Sequence, residues 1–165
     1  MAKGKNISVQ YAQVIHGDYW HWHEEAPNHG PNGGELFNRL IQGDAITVLS
    51  KYPPECINLI VTSPPYADSR KKTYGGIHPD NYVKWFLPFV DQFYRVLSRQ
   101  GSFVLNIKEK VVDSERNTYV LELIMEMRKR NWFWTEEYIW HKKNCYPGKW
   151  PNRFRDAWER CLHFN

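Results

Sequence analysis

Thr62-Ser63-Pro64-Pro65-Tyr66 is the segment of this chain whose residue types could do chemistry together. Two consecutive prolines remove two backbone N–H donors and fix φ, leaving a rigid turn whose free groups are carbonyl acceptors. Ser63 adds a hydroxyl oxygen and Tyr66 a flat aromatic face. Together they make a small pocket that accepts hydrogen bonds from an amino group and stacks on a ring. An exocyclic amino group conjugated with a base ring is a poor nucleophile, because its lone pair is delocalised. Acceptors that hold its two hydrogens out of the ring plane pull the nitrogen toward sp³ and restore that lone pair. Methyl transfer from a sulfonium donor then needs only in-line positioning, without a covalent enzyme intermediate. A base inside a duplex cannot present this geometry, so it has to be flipped out and stacked, here against Tyr66. The plainest alternative is an ordinary proline turn, and the position of the motif in the chain counts against it.

That position follows from the surrounding pattern. Ile57 to Thr62 is a continuous apolar run with β-branched residues, bounded by prolines on both sides, as expected of a parallel strand buried on both faces. In an open α/β sheet, ligands bind just beyond the carboxyl ends of the strands, which is where Ser63 falls. Asp80 to Leu97, started by Pro79, carries Trp85, Phe86, Phe89, Phe93 and Val96 at helical spacing, with a kink expected at Pro88. Ser102 to Ile107, opened by Gly101, reads as a second strand, Tyr119 to Arg130 as a helix and Trp132 to Trp140 as a strand. Leu36 to Ile41 is expected as a short strand, Ala45 to Tyr52 as a helix and Ala157 to Asn165 as a final strand. Strands alternating with helices at this spacing predict βαβ units and a mostly parallel sheet. Residues 1–35 differ: they are rich in His, Trp, Asn and Gly, lack periodicity, and read as an N-terminal extension and linker before a domain over 36–165.

Composition bounds the rest. The chain has 165 residues, 42% hydrophobic and 16% aromatic, which is one domain with a real core. Eight Trp and ten Tyr imply either an aromatic-rich core or surfaces that stack on flat ligands. The net charge of +4 is unevenly placed: from Arg128 onward nine Lys and Arg stand against four acids. A basic C-terminal third serves phosphate contact or a solvated face. Three cysteines without a CxxC pair argue against a disulfide framework and a zinc site, and the spacing of His16, His21, His23, Glu24 and Glu25 matches no metal site. With neither an apolar stretch behind Met1 nor a run approaching about 18 apolar residues, the expectation is a cytoplasmic, soluble protein.

Ser-Pro-Pro-Tyr at a strand end resembles the catalytic motif of the amino-methylating DNA methyltransferases, whose general form is (Asp/Asn/Ser)-Pro-Pro-(Tyr/Phe). The serine version preceded by Thr62 resembles the cytosine-N4, permuted group from bacterial restriction-modification systems; the aspartate version is typical of adenine-N6 enzymes. Gln42-Gly43-Asp44, Gly101 to Lys108, Tyr138 to Lys142 with Asn144, and Arg153 to Phe164 look like further segments of the same family. The resemblance implies an α/β Rossmann-like fold that uses S-adenosyl-L-methionine (AdoMet) as methyl donor and methylates N4 of cytosine in double-stranded DNA. Ser63 and the Pro64 carbonyl then accept hydrogen bonds from the amino group, Pro65 stiffens the turn, Tyr66 stacks on the base, and Asp44 lies on the cofactor side. Arg70, Lys71 and Lys72 after the motif, and Trp140, Lys142, Lys143, Asn144, Arg153 and Arg155 further on, are the candidate DNA contacts, because bases and phosphates need both aromatic and basic partners.

One departure stands out. The family binds AdoMet through a Phe-x-Gly-x-Gly loop, whose glycines let the backbone approach the ligand closely, and this sequence contains none. In the permuted group that loop lies downstream of the catalytic motif, so the expectation is a catalytic part cut before it, partnered by a missing C-terminal half or a second subunit. A cognate restriction endonuclease is then a genetic rather than a physical partner. The alternatives are methylation of adenine N6, a non-catalytic DNA-binding or complementing half of a split enzyme, and methylation of RNA or of protein glutamine, against which the serine counts.

Overall fold

The computed structural model describes residues 41, 43–68, 76–144 and 156–165. The chain runs α1 (Ala45–Leu49), β1 (Ile57–Thr62), α2 (Pro79–Val96), β2 (Leu97–Ile107), a small hairpin of β3 (Val111–Val112) and β4 (Glu115–Arg116), α3 (Tyr119–Lys129), β5 (Trp134–His141) and β6 (Trp158–Phe164). Four strands form one sheet in the order β1-β2-β6-β5. β1 and β2 pair parallel, as the βαβ pattern predicts, whereas β6 pairs antiparallel with both β2 and β5. Three strands therefore run one way and β6 alone runs against them. The sheet is mixed rather than uniformly parallel, because β6 follows β5 in the chain and returns antiparallel beside it.

Each helix ends where local chemistry dictates. The Asp44 side chain caps α1 by accepting from the Thr47 amide at 2.9 Å. The guanidinium of Arg95 ties down the other end, donating to the Leu49 carbonyl at 2.7 Å and the Tyr52 carbonyl at 2.8 Å. This helix is shorter than the 45–52 pattern predicts, since its last carbonyls are already taken. α2 begins with Pro79 in its first turn, where the missing N–H costs nothing. α3 stops in a left-handed residue, Asn131 at φ 67°: Asn131 N–H reaches Arg128 O and Trp132 N–H reaches Met127 O, both at 3.2 Å. That pair of bonds is a Schellman closure, and it drops Trp132 into the core. β2 starts at Leu97, earlier than Gly101, and its register against β1 slips in this stretch. A Cβ on Gly101 would stand 2.7 Å from Leu97 Cγ, so only glycine fits the irregularity.

The core lies between one face of the sheet and the helices α2 and α3. Phe103, Leu105 and Ile107 of β2 and Leu162 and Phe164 of β6 are fully buried there with Tyr82, Phe86, Val90, Phe93, Val120 and Leu123. Their rings form a continuous chain: Tyr82 to Tyr119 at 4.6 Å, Phe93 to Phe103 at 5.1 Å and Phe103 to Phe164 at 6.0 Å between centroids. Each such side chain contributes roughly 1.5–3 kcal/mol by leaving water, so this layer accounts for much of the aromatic content. The opposite face has no helix over it among the described residues. Val61 is 46% exposed, so among the described residues β1 is covered on one face and not, as its apolar run predicts, on both.

Candidate active site

The carboxyl ends of β1, β2 and β5 and the start of β6 share one edge of the sheet, and four side chains meet there on the uncovered face. Ser63 and Tyr66 follow β1, Asn106 is the penultimate residue of β2, and Glu159 is the second residue of β6. Alternation along a strand explains why these polar groups share a face: Leu105 and Ile107, and Trp158 and Arg160, point the other way. The proline turn is held from beneath by α2, where the buried Tyr82 hydroxyl donates to the Pro65 carbonyl at 2.9 Å. Pro65 is thus engaged, while among the described residues no donor takes the Pro64 carbonyl.

The hydrogen-bond directions inside the cluster can be assigned. Asn106 Nδ2 donates to the Arg160 carbonyl at 3.1 Å and approaches Cys161 Sγ at 3.6 Å. The amide cannot be reversed without setting its oxygen against that carbonyl, so Oδ1 faces the turn. There it lies 3.1 Å from Ser63 Oγ and 2.9 Å from the Tyr66 hydroxyl. Tyr66 has one proton and a second, shorter acceptor, Glu159 Oε2 at 2.7 Å. Ser63 Oγ is also 3.4 Å from the Tyr66 oxygen. In either arrangement the Ser63 proton points into the cluster, which leaves the serine lone pairs outward as acceptors on an exposed residue.

Electrostatics follow from burial and one cation. Glu159 is 5% exposed, and burial pushes its carboxyl up. The Lys142 ammonium, bonded to Oε1, and the Tyr66 hydroxyl together outweigh that and hold the group below the usual glutamate range. Burial, reinforced by the neighbouring carboxylate, pushes the Tyr66 phenol well above its ordinary range despite the Ser63 contact. Tyr66 is therefore a committed hydrogen-bond donor with its hydroxyl fixed; its half-buried ring is the part left for stacking.

Of the residues singled out in the sequence, Ser63, Pro64, Pro65, Tyr66 and Lys142 come together. Trp140 lies on the same face of β5, with Lys142 Nζ 5.3 Å from its ring centroid, and Lys143 and Asn144 are exposed in the turn beyond. Asp44 serves as the α1 cap. Arg70, Lys71, Lys72, Arg153 and Arg155 lie outside the described residues, as do residues 1–35 and all but Ile41 of the expected 36–41 strand. Much of the basic surplus is engaged in ion pairs: Lys129 with Glu126, Arg130 with Asp91 and Glu126, and Arg160 with Glu109 and Glu137. Asn106 and Glu159 were missed as individual site residues. Their signal is a polar residue inside an apolar strand, visible only once the two strands are paired.

For an AdoMet donor the described residues fit the amine side of a transfer, with the exposed Ser63 hydroxyl as an acceptor on a rigid turn. They include no glycine-lined turn between a strand and a helix to hold the donor. Among them no group of His, Cys, Asp or Glu could hold a metal ion, and no helix is long and apolar enough to cross a membrane.

Residues 57–165 match the family model described as DNA methylase, of the N6/N4 methyltransferases. The chain is 32% identical over 116 residues to the type II methyltransferase M.PvuII of Proteus hauseri, covering 67% of this chain and 34% of that protein. It is also 32% identical over 83 residues to the DNA adenine methyltransferase YhdJ of Escherichia coli, covering 47% and 28%. The solved structure of the cytosine-N4-specific PvuII DNA methyltransferase superposes with a TM-score of 0.62 at 31% identity, covering 74% of this chain and 46% of that one. A Thermus thermophilus DNA modification methylase complexed with S-adenosyl-L-methionine shares the fold, with a TM-score of 0.56 at 21% identity over 74% of this chain and 50% of that one. The chain spans about a third of the length of the curated relatives it matches. With the matched region holding the whole described sheet and the Ser-Pro-Pro-Tyr turn, this chain belongs to the N6/N4 DNA methylase family.

Proposed function

We propose that this chain carries the amine-activating part of a site-specific DNA methyltransferase that methylates N4 of cytosine in double-stranded DNA, with AdoMet supplying the methyl group as an electrophile. The observation that carries the reading is the exposed Ser63 hydroxyl, with its proton turned inward, on a turn pinned by Tyr82 and Asn106; the Pro64 carbonyl is the second acceptor the reading requires. Two acceptors on a rigid turn hold both amino hydrogens of a flipped base and direct the nitrogen lone pair away from the ring. Tyr66 supplies the stacking surface, and Trp140, Lys143 and Asn144 border the same edge as candidates for contact with the DNA strand.

The serine form of the motif and the cytosine-N4-specific PvuII structure support cytosine. Adenine N6 is the second reading, supported by the equal identity to an adenine methyltransferase; both amines need the same activation. The bacterial relatives support a cytoplasmic setting, a restriction endonuclease as genetic partner, and a further polypeptide segment or subunit to hold the donor. Nucleoside mass spectrometry on unmethylated DNA incubated with AdoMet and this chain joined to the segment or subunit that holds the donor tests the reading. N4-methylcytosine is the expected product, N6-methyladenine would move the reading to the other base, and unmodified DNA would overturn it for this chain.

A further inference from the structure

The cluster behind Ser63 is longer than amine activation requires. Two acceptors on the turn suffice to hold an amino group, yet the hydrogen bonds continue inward to Tyr66 and end on a buried carboxylate. We propose that Glu159 is the terminal acceptor of the proton released by the methylated amine, reached from Ser63 through Tyr66, with Asn106 and Lys142 as positioning residues; this rests on the reading of the site as amine-methylating.

The nitrogen lone pair forms the N–C bond as the methyl group leaves sulfur, whose bonding pair stays on sulfur, and the nitrogen becomes cationic. One N–H proton passes to Ser63 Oγ, the serine's own proton passes to the Tyr66 oxygen, and the tyrosine's proton passes to Glu159 Oε2. The donor–acceptor separations are 3.4 and 2.7 Å in the free protein, and catalytic hydrogen bonds of this kind tighten when substrate binds. The other neighbour of Ser63, Asn106 Oδ1, is an amide oxygen and cannot carry a proton onward. It lies 3.1 Å from the Ser63 oxygen and 2.9 Å from the Tyr66 oxygen and accepts from either hydroxyl when that hydroxyl's proton is not committed to the relay, which keeps the two oxygens side by side. Glu159 must be ionised to accept, and the Lys142 ammonium on its other oxygen keeps it so despite burial.

The titratable and charged groups around Glu159 and Tyr66 are Lys142 after β5, Cys161 on β6, and Tyr82 and Tyr119 on α2 and α3, while β2 contributes the Asn106 amide. The first test needs no turnover. In the whole chain labelled with ¹³C-carboxyl glutamate, the Glu159 signal, identified by its loss in Glu159→Gln, should titrate below the ordinary glutamate range. Tyr66→Phe and Lys142→Met should each move it to higher pH. A signal unmoved by Tyr66→Phe would mean that the tyrosine does not donate to it, and the relay would be broken.

The second test follows methyl incorporation from labelled AdoMet into DNA against pH. Glu159→Gln should lower the rate about 100-fold, within the span of general base catalysis, and abolish the fall at acid pH. Lys142→Met should shift that fall to higher pH, and Glu159→Asp should restore part of the rate. If the wild type methylates DNA and the Gln variant matches it, the relay is overturned and the function stands. If the wild type makes no methylated base although the carboxyl titrates as expected, the amine-methylating reading falls and the relay with it.

Discussion

On one face of the sheet Phe103, Leu105, Ile107, Leu162 and Phe164 are completely removed from water. One residue along, on the same two strands, Ser102, Val104, Asn106, Cys161 and His163 face the uncovered side and are only partly buried. The first face is apolar and interchangeable in its chemistry; what matters is volume and the close packing of rings. The second is polar and directional: Asn106 fixes Ser63 and Tyr66, Asn165 Nδ2 and His163 reach Ser102 at 3.2 and 3.0 Å, and Glu159 closes the chain of hydrogen bonds. A strand of period two lets one stretch of sequence hold the fold and prepare the chemistry independently, so damage to one face should leave the other legible.

The strongest way to break that separation is to empty the covered face. Phe103→Ala removes the ring that joins Phe93, Trp132 and Phe164 and should cost about 3–5 kcal/mol of unfolding free energy in denaturant titrations. A loss below about 1 kcal/mol would show that the helices do not anchor the sheet as described. The converse is Ser63→Ala on the open face. It should reduce methyl transfer by about 10²–10³-fold, the cost of losing one preorganised partner, while DNA affinity stays nearly intact and stability changes by about 1 kcal/mol or less. Unchanged turnover would remove Ser63 from the chemistry.

The two faces were unequally legible in the sequence. α2 and α3 show themselves through apolar residues at helical steps, and β1 through its β-branched run, because burial against one neighbour leaves a periodic trace. The Ser63–Tyr66 turn was legible because proline pairs have few structural meanings directly after a strand. What was hidden depends on pairing. Glu159 reads as one more charge in a basic stretch until β6 is placed antiparallel between β2 and β5, when it lands beside Tyr66, 93 residues away. The exposure of Val61 was hidden for the opposite reason: a mostly apolar run looks the same whether one or both faces are covered by the described part of the chain.

A milder probe is pH. The folded protein holds Glu159 below its ordinary range, so the carboxylate's contribution to stability is fully present above the unfolded glutamate pKa and is lost as pH falls through the lower folded value. Between those two limits the unfolding free energy of the wild type should drop more steeply than that of Glu159→Gln, and the curves should run parallel above the ordinary glutamate range. Parallel curves throughout would mean that Lys142 and Tyr66 contribute no net preference for the charged form.

The smallest effect separates two roles for one residue. Asp44 was expected on the cofactor side, and in the structure it acts locally. Its Oδ1 accepts from the Thr47 amide at 2.9 Å and from the Thr47 hydroxyl at 3.0 Å, starting a helix of five residues. A helix that short has little stability of its own, so it depends on the cap at one end and on the Arg95 fork at the other. Asp44→Ala should therefore cost about 1 kcal/mol, while Asp44→Ser, which keeps a capping oxygen, should stay within a few tenths of the wild type. Equal stability of the Ala and Ser variants would show that the cap carries no weight. The Ser variant also isolates the carboxylate. If it is as stable as the wild type but binds AdoMet more weakly in titration calorimetry, Asp44 serves the cofactor as well as the helix; if affinity is unchanged, the cap is its whole role.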